Sequence, residues 1–124
     1  MRYLLLLLFM TPFLASCASP RPAPGAFESA EERIEDAVAA GAEQHSPVEL
    51  RFAREKLAEA HKGMEERYNQ TEKSIYLIEQ SEINSELAIE KSRTAELRAR
   101  VAELARQNEI LREDFETTFG EAVQ

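Results

Sequence analysis

The sequence predicts an all-α protein, either a short three-helix antiparallel bundle or a helical hairpin, with a long C-terminal helix of coiled-coil character. Four of the five prolines precede residue 25, and the rest of the chain is rich in Ala, Glu, Leu and Arg, a composition typical of long helices. Neither Pro nor Gly occurs between residues 69 and 118, so nothing there breaks a helix. Apolar residues recur in that stretch at steps of three and four, the period of a helix face.

The first helix is predicted at about residues 29–43. Ser29 followed by Glu32 has the spacing of a capping box, in which each side chain satisfies a backbone donor of the first turn. Ile34, Ala37 and Val38 then share one face. A helix this short is marginal alone, so it needs a partner to pack against.

The second helix is predicted at about residues 47–64. Its start combines a serine at the cap, a proline at the first helical position and a glutamate at the third, in Ser46-Pro47-Val48-Glu49. One apolar stripe follows at alternating steps of three and four residues: Leu50, Ala53, Leu57, Ala60 and Met64.

The third helix is predicted to run from about residue 69 to 118, roughly 75 Å at 1.5 Å per residue. The shorter second helix can cover only its first third. There, the side chains expected to pack against the other two helices are Ile75, Ile78, Ile83 and Leu87. The later part alternates strictly between steps of four and three, through Leu97, Val101, Leu104, Asn108, Leu111 and Phe115. Leucine at d positions and an asparagine at an a position are typical of a coiled-coil seam.

Three arrangements of this seam stay open from the sequence. The seam docks against another protein, it self-associates, or the helix bends near Ser92 and folds back onto the first helix. In a parallel homodimer Arg93 would face Arg98 of the other copy, and Arg100 would face only Ala105, so the charges do not favour that pairing. An antiparallel or different partner remains open.

The first 20 residues have the layout of a secretion signal. Met1 and Arg2 give a positive start, residues 4–10 are an unbroken apolar run, and small residues lead to the only cysteine of the chain. The run is too short for a bilayer-spanning helix, which needs roughly 20 apolar residues. A cleaved signal is therefore expected.

The signal resembles the lipobox of bacterial lipoproteins. That resemblance implies that a signal peptidase reads Leu14, Ala15 and Ser16 and that Cys17 becomes the acylated first residue. Three acyl chains would hold the protein at a membrane, since stable anchoring takes more than one chain. The alternative is an ordinary signal peptide that is cut near Ala18. In the family, Ala18 after the cysteine points to the outer membrane.

The predicted organisation has four parts. They are a signal peptide at 1–16, an acylated cysteine with a proline-rich tether at 17–28, a helical bundle at 29–92 and a coiled-coil-like arm at 93–124. A net charge of −8 disfavours nucleic acid and anionic lipid surfaces as partners, because both would repel the chain. A single cysteine excludes an internal disulfide.

No catalytic residue, metal site or cofactor is predicted. His45 and His61 lack a second ligand at a recognisable spacing, and His45 is expected in a loop. Four glutamates at helical neighbour spacing form an acidic row: Glu79, Glu82, Glu86 and Glu90. The row could hold divalent cations weakly or meet a basic partner, but it is expected to be a solvated face.

The middle of the chain resembles a family of bacterial lipoproteins that bear a domain of unknown function. The resemblance lies in residues 37–42 (Ala-Val-Ala-Ala-Gly-Ala), Ser46 to Leu50, Ala53 to Leu57 and residues 68–80, and it extends over about residues 31–91. Some members of that family carry an OmpA-like peptidoglycan-binding domain, which this sequence lacks. The resemblance implies a helical envelope module. Where the family has alanines, this chain has Thr71, Ser74, Ser81 and Ser85.

The sequence thus predicts a non-enzymatic outer-membrane lipoprotein that faces the periplasm. A structural or adaptor role through helical contacts, with an envelope protein or with itself, fits these features best. The alternative is a tethered helper that binds a small ligand or peptide among the small residues Ala37, Ala53, Ala60 and Ser81.

Overall fold

The structure is a computed structural model that describes residues 21–66 and 70–120. It contains four helices, α1 (Ala26–Ala39), α2 (Ala42–His45), α3 (Pro47–Glu66) and α4 (Thr71–Phe119). The described residues form no β-strand. The prediction of an all-α protein with a long C-terminal helix is confirmed. At 49 residues, α4 is about 73 Å long.

The start of α1 differs from the predicted capping box. Gly25, with a φ of 82°, precedes the helix, and the amide of Ser29 already donates to the carbonyl of Gly25 at 2.8 Å. Ser29 therefore lies one turn inside the helix and cannot cap it. Its hydroxyl instead donates to Glu82 of α4 at 2.9 Å, a contact that the local sequence does not reveal.

A glycine turn divides the predicted first helix into two. Gly41 has a φ of 79°, and its amide donates to the carbonyl of Val38 at 2.9 Å. This left-handed backbone ends α1 because it cannot continue a right-handed helix. His45 was expected in a loop, but it is the last residue of the short helix α2.

The third element, α3, begins at Pro47 as predicted, but without the predicted capping box. The amide of Ser46 donates to the carbonyl of Ala42, so it is not available to Glu49. The Ser46 hydroxyl lies 2.8 Å from the carbonyl oxygen of Ala88 and 2.9 Å from the hydroxyl of Ser92. Glu49 is hydrogen-bonded to Lys91. Both capping side chains therefore connect α3 to α4.

The structure confirms part of the predicted core on α4. Ile78 is buried and Ile75 is half-buried, but Ile83 and Leu87 are 56 % and 44 % exposed, and Met64 of α3 is 40 % exposed. The hydroxyl of Ser81 donates to the carbonyl of Ala53 at 2.8 Å, so α3 and α4 are in close contact. The side chains of α4 that alternate at steps of four and three on this buried face are Ser74, Ile78, Ser81, Ser85, Ala88 and Ser92.

The bundle covers only the first half of α4. The helices α3 and α4 are antiparallel. Ser46, just before α3, contacts Ser92, whereas Ala53, further along α3, accepts a hydrogen bond from Ser81, which lies earlier in α4. Beyond Ser92 the helix continues without a break, and every residue from Leu97 to Gly120 is exposed. The arrangement in which the helix folds back is thus not observed. No helix in the described ranges combines the length and apolar character that crossing a bilayer requires.

Candidate functional site

The C-terminal half of α4 carries the predicted seam on one exposed face. Its five large apolar side chains are between 50 % and 65 % exposed, and Asn108 is exposed among them. These five are Leu97, Val101, Leu104, Leu111 and Phe115. Soluble monomers rarely expose contiguous apolar surface of this kind.

The exposed seam extends further towards the bundle than the sequence analysis predicted. Tyr76, Ile83 and Leu87 are 44–58 % exposed, and they continue the same alternation of four and three. We call this whole row, from Tyr76 to Phe115, the outer seam. Polar residues interrupt it at Gln80, Glu90, Thr94 and Asn108. The alternation of four and three in the arm, extended backwards, predicts this row, but large aliphatic residues such as Ile83 and Leu87 are also the residue types expected in a core.

The outer seam and the bundle contact face lie on opposite sides of α4. On the buried face, the alternation of four and three ends at Ser92, and one further step of three would reach Ala95. The outer seam has Leu97 at the same level of the helix, two residues later. Two residues correspond to about 200° around a helix with 3.6 residues per turn. The bundle therefore leaves the large apolar side chains of the outer seam at least 44 % exposed, although Gln80 is half-buried and Arg33 of α1 borders the seam near Ile83.

A shallow apolar depression lies within the seam. Thr94, Leu97, Arg98 and Val101 border it, together with the small residues Ala102 and Ala105. In the heptad repeat of the seam, Thr94, Leu97, Arg98 and Val101 occupy positions a, d, e and the next a. Four such residues form the hole that receives one side chain from a facing helix in a coiled coil.

Arginines dominate the borders of the seam in the arm. Arg93, Arg98, Arg100 and Arg112 occupy e or g positions. The Arg93 guanidinium lies 2.9 Å from the Glu90 carboxylate, while Arg98 and Arg100 form no ion pair within residues 21–66 and 70–120. On the back of the helix, Arg106 donates to Glu103, and this hydrogen bond holds the pKa of Glu103 below its ordinary value.

Asn108 interrupts the apolar seam with an amide. Its Nδ2 donates to the carbonyl oxygen of Leu104 at 3.2 Å, and its amide oxygen accepts no hydrogen bond from any described residue. The side chain thus retains hydrogen-bonding capacity on a face that is otherwise apolar.

The predicted acidic row has partners in the bundle. Glu82 accepts the hydrogen bond from Ser29, and Glu90 pairs with Arg93. Arg33 of α1 lines the same groove as Glu79, Glu82 and Glu86. No group of three potential metal ligands was found in the described ranges.

The two histidines lie apart. The Nε2 atom of His61 is 3.5 Å from the carboxylate of Glu31, and its ring lies 4.1 Å from that of Phe27, so it links α3 to α1. His45 lies at the opposite end of α3, in α2.

The small residues proposed for ligand binding lie in the closely packed core. Ala37, Ala53, Ala60 and Ser81 all have no exposed surface, and the Ser81 hydroxyl is bonded to Ala53. The ligand-binding alternative and the absence of enzymatic activity both stay predictions. The lipobox residues Leu14, Ala15, Ser16 and Cys17 lie outside the described residues.

The sequence profile of the family DUF4398, described as a domain of unknown function, matches residues 25–104. The match covers the bundle and extends to Leu104, in the middle of the seam of the arm. No match was found to a curated protein or to a solved structure. The matched region is more than half of the chain, and the chain therefore belongs to the DUF4398 family.

Proposed function

We propose that this protein is a lipoprotein of the outer membrane that faces the periplasm and has a structural or adaptor role in the cell envelope. It acts through helical protein–protein contacts and not as an enzyme. The observation that carries this proposal is the outer seam. In the arm, this seam has five large apolar side chains that the protein's own bundle does not cover.

The anchor in this proposal is Cys17. It follows Leu14-Ala15-Ser16 directly after an apolar run, as in lipoprotein signals. Acylation would contribute about 0.8 kcal/mol for each buried methylene, so several chains would hold the protein permanently at the membrane. Because α1 begins nine residues after Cys17, the tether lets the bundle start at most about 30 Å from the membrane surface.

The anchor can be tested by metabolic labelling with palmitate. We expect the wild-type chain to incorporate label and to fractionate with the outer membrane, and a Cys17→Ser variant to lose both properties. Label-free wild-type protein in the soluble fraction would contradict the proposed anchor.

The contact role can be tested by introducing charge into the seam. A Val101→Asp, Leu104→Asp double variant is expected to lose the interactions of the arm and to reproduce the envelope phenotype of a deletion. Ala99→Asp is the matched control, since Ala99 is exposed on the opposite face of α4. Unchanged interactions and phenotype in the double variant would overturn the adaptor proposal.

A further inference from the structure

We infer that the outer seam is covered by a second copy of this chain, parallel and in register, in a two-stranded coiled coil from Tyr76 to Phe115. This inference deepens the proposed function, because it names the occupant of the same surface. The two α4 helices would form the axis of the dimer, with a bundle on the outside of each.

The residue types at the seam fit two parallel strands. Leucine occupies three successive d positions in the arm, and the β-branched Val101 occupies an a position between them. β-Branched residues at a with leucine at d favour two-stranded parallel coils. The three leucines are Leu97, Leu104 and Leu111.

Asn108 favours the parallel, in-register arrangement. In that arrangement it faces Asn108 of the other copy, where the two amides can hydrogen-bond to each other. A single asparagine at an a position specifies register and the two-stranded state in parallel coils. In an antiparallel pairing that matches the seams of the two arms, Asn108 would face Leu104 or another apolar residue, and the amide would be left against a hydrocarbon surface.

The extension of the seam onto the bundle also favours the parallel pairing. When the two copies are in register, all eight exposed apolar side chains of the outer seam meet their counterparts, including Tyr76, Ile83 and Leu87. A standard stable interface buries roughly 800 Å² per partner, and the in-register pairing adds these three side chains to the five of the arm. An antiparallel overlap of the two arms would leave the bundle half of the seam uncovered.

The border charges by themselves do not favour the parallel pairing. Arg93 would face Arg98 of the other copy, and Lys91, which would face Glu86 of the other copy, is already hydrogen-bonded to Glu49 of its own chain. Arg93 is also held by Glu90 of its own chain at 2.9 Å, and this reduces its repulsion of Arg98. Exposed charge pairs contribute much less than buried apolar contacts, so the apolar seam decides the pairing. Glu90 would face Glu90 of the other copy, which makes this the weakest layer.

The exposed side chains of the outer seam are accessible to a second copy. The helix α3 contacts α4 on the side of Ser81, opposite the outer seam, whereas α1 lies beside the seam, where Arg33 lines a groove with Ile83. A parallel dimer also places both N-termini at the same end, so both tethers can reach one membrane.

Cysteine cross-linking in the full chain tests the inference. Leu97→Cys, Leu104→Cys and Leu111→Cys are made separately, and each variant is oxidised mildly in a whole-cell lysate before the soluble and membrane fractions are separated. In the parallel, in-register dimer each of these residues lies next to itself, within reach of a disulfide. All three variants are expected to give a band at twice the apparent mass of the monomer in the same sample. Ala99→Cys and the parent chain, which retains Cys17, are the controls and should give only the background level.

A self-cross-link at only one of the three positions would indicate antiparallel pairing and overturn the inference, as would none at any position. An equal yield from Ala99→Cys would also overturn it. The helical circular dichroism of each variant checks that the cysteine has not unfolded the chain. Membrane fractionation of the same samples tests the anchor separately, so a soluble but cross-linked dimer would contradict the proposed localisation and leave the dimer supported.

Discussion

The buried face of α4 depends on serine hydroxyls that bond to backbone carbonyls. The hydroxyls of Ser46 and Ser92 lie near each other and near the carbonyl oxygen of Ala88. These three distances are possible hydrogen bonds, but the two hydroxyl groups have only two hydrogens, so two of the three can form at the same time. These hydrogen bonds offset the cost of burying the hydroxyls of Ser46 and Ser92, because an unpaired hydroxyl in the core costs free energy.

Ser81 and Ser74 provide a matched pair to measure this effect. Ser81→Ala removes a buried hydrogen bond to Ala53 and is expected to lower the free energy of unfolding by about 1 kcal/mol. Ser74 is equally buried, but its hydroxyl has no partner among the described residues, so Ser74→Ala is expected to be neutral or slightly stabilising. Urea denaturation of both variants checks this, and equal losses would contradict the assigned roles.

The contact between Glu49 and Lys91 predicts a dependence of stability on pH. The hydrogen bond from Lys91 lowers the pKa of Glu49 in the folded chain. The pair therefore stabilises the fold above the ordinary carboxyl pKa of about 4.3, and this contribution is lost as the pH falls through the lowered pKa. Lys91→Met should lower the free energy of unfolding by about 0.5–1 kcal/mol at pH 7.

The pH series for Lys91→Met separates the ion pair from packing. The difference from wild type is expected to shrink below about pH 4 and to vanish once Glu49 is protonated in both states. Urea titrations from pH 7 to pH 2 measure it, with Arg100→Met as a control for removal of an exposed cation. A difference that stays constant over the whole series would mean that Lys91 acts only through its hydrocarbon chain.

At the scale of elements, the sequence predicted the helices better than their caps. The start of α3 at Pro47 follows from proline's fixed φ, which is a local property. Ser29, Ser46 and Glu49 have the local pattern of capping residues, but their side chains bond to α4 instead. Those contacts span more than 40 residues of sequence, so a local pattern could not reveal them.

The two faces of α4 explain the wrong core assignment. Hydrophobic periodicity identifies a face by its large apolar residues, and on α4 those residues lie mainly on the outer seam. The buried face combines Leu77, Ile78 and Ile89 with five Ser and Ala side chains, which have too little hydrophobicity to mark it in the sequence. The residues of the predicted arm seam are all exposed, whereas their role as a partner seam remains a prediction.

Asn108 is expected to lower the thermal stability of the coiled coil while it fixes the register of the two helices. Replacing Asn108 by Val puts an apolar residue at an a position and should raise the thermal midpoint of the coiled coil. It should also relax the register, because the amide pair that defines it is lost. Analytical ultracentrifugation and thermal melts of Asn108→Val measure both effects, with Gln107→Val as the control beside the seam. A lower midpoint with a purely dimeric population would contradict the predicted role.

At the scale of the whole molecule, the different lengths of the helices explain why the first part of α4 packs in the bundle while the rest is exposed. The helix α3 has 20 residues and α4 has 49, so the bundle can cover less than half of the long helix. The exposed remainder extends roughly 40 Å beyond the bundle. With an anchor at Cys17, such a protein would present its seam away from the point of attachment. The fold class was predictable from composition and periodicity, but neither property identifies what a surface contacts.

The central claim is that the outer seam of α4 is a contact surface in the cell, and photo-crosslinking in intact cells tests it most directly. A photoreactive side chain is placed at Ala105, beside the seam, and in a control chain at Ala99, on the opposite face. We predict a discrete cross-linked product from Ala105, twice the mass of the chain if the partner is a second copy, and no such product from Ala99. The same products from both positions, or none from Ala105 while the protein is present in the membrane, would contradict the claim.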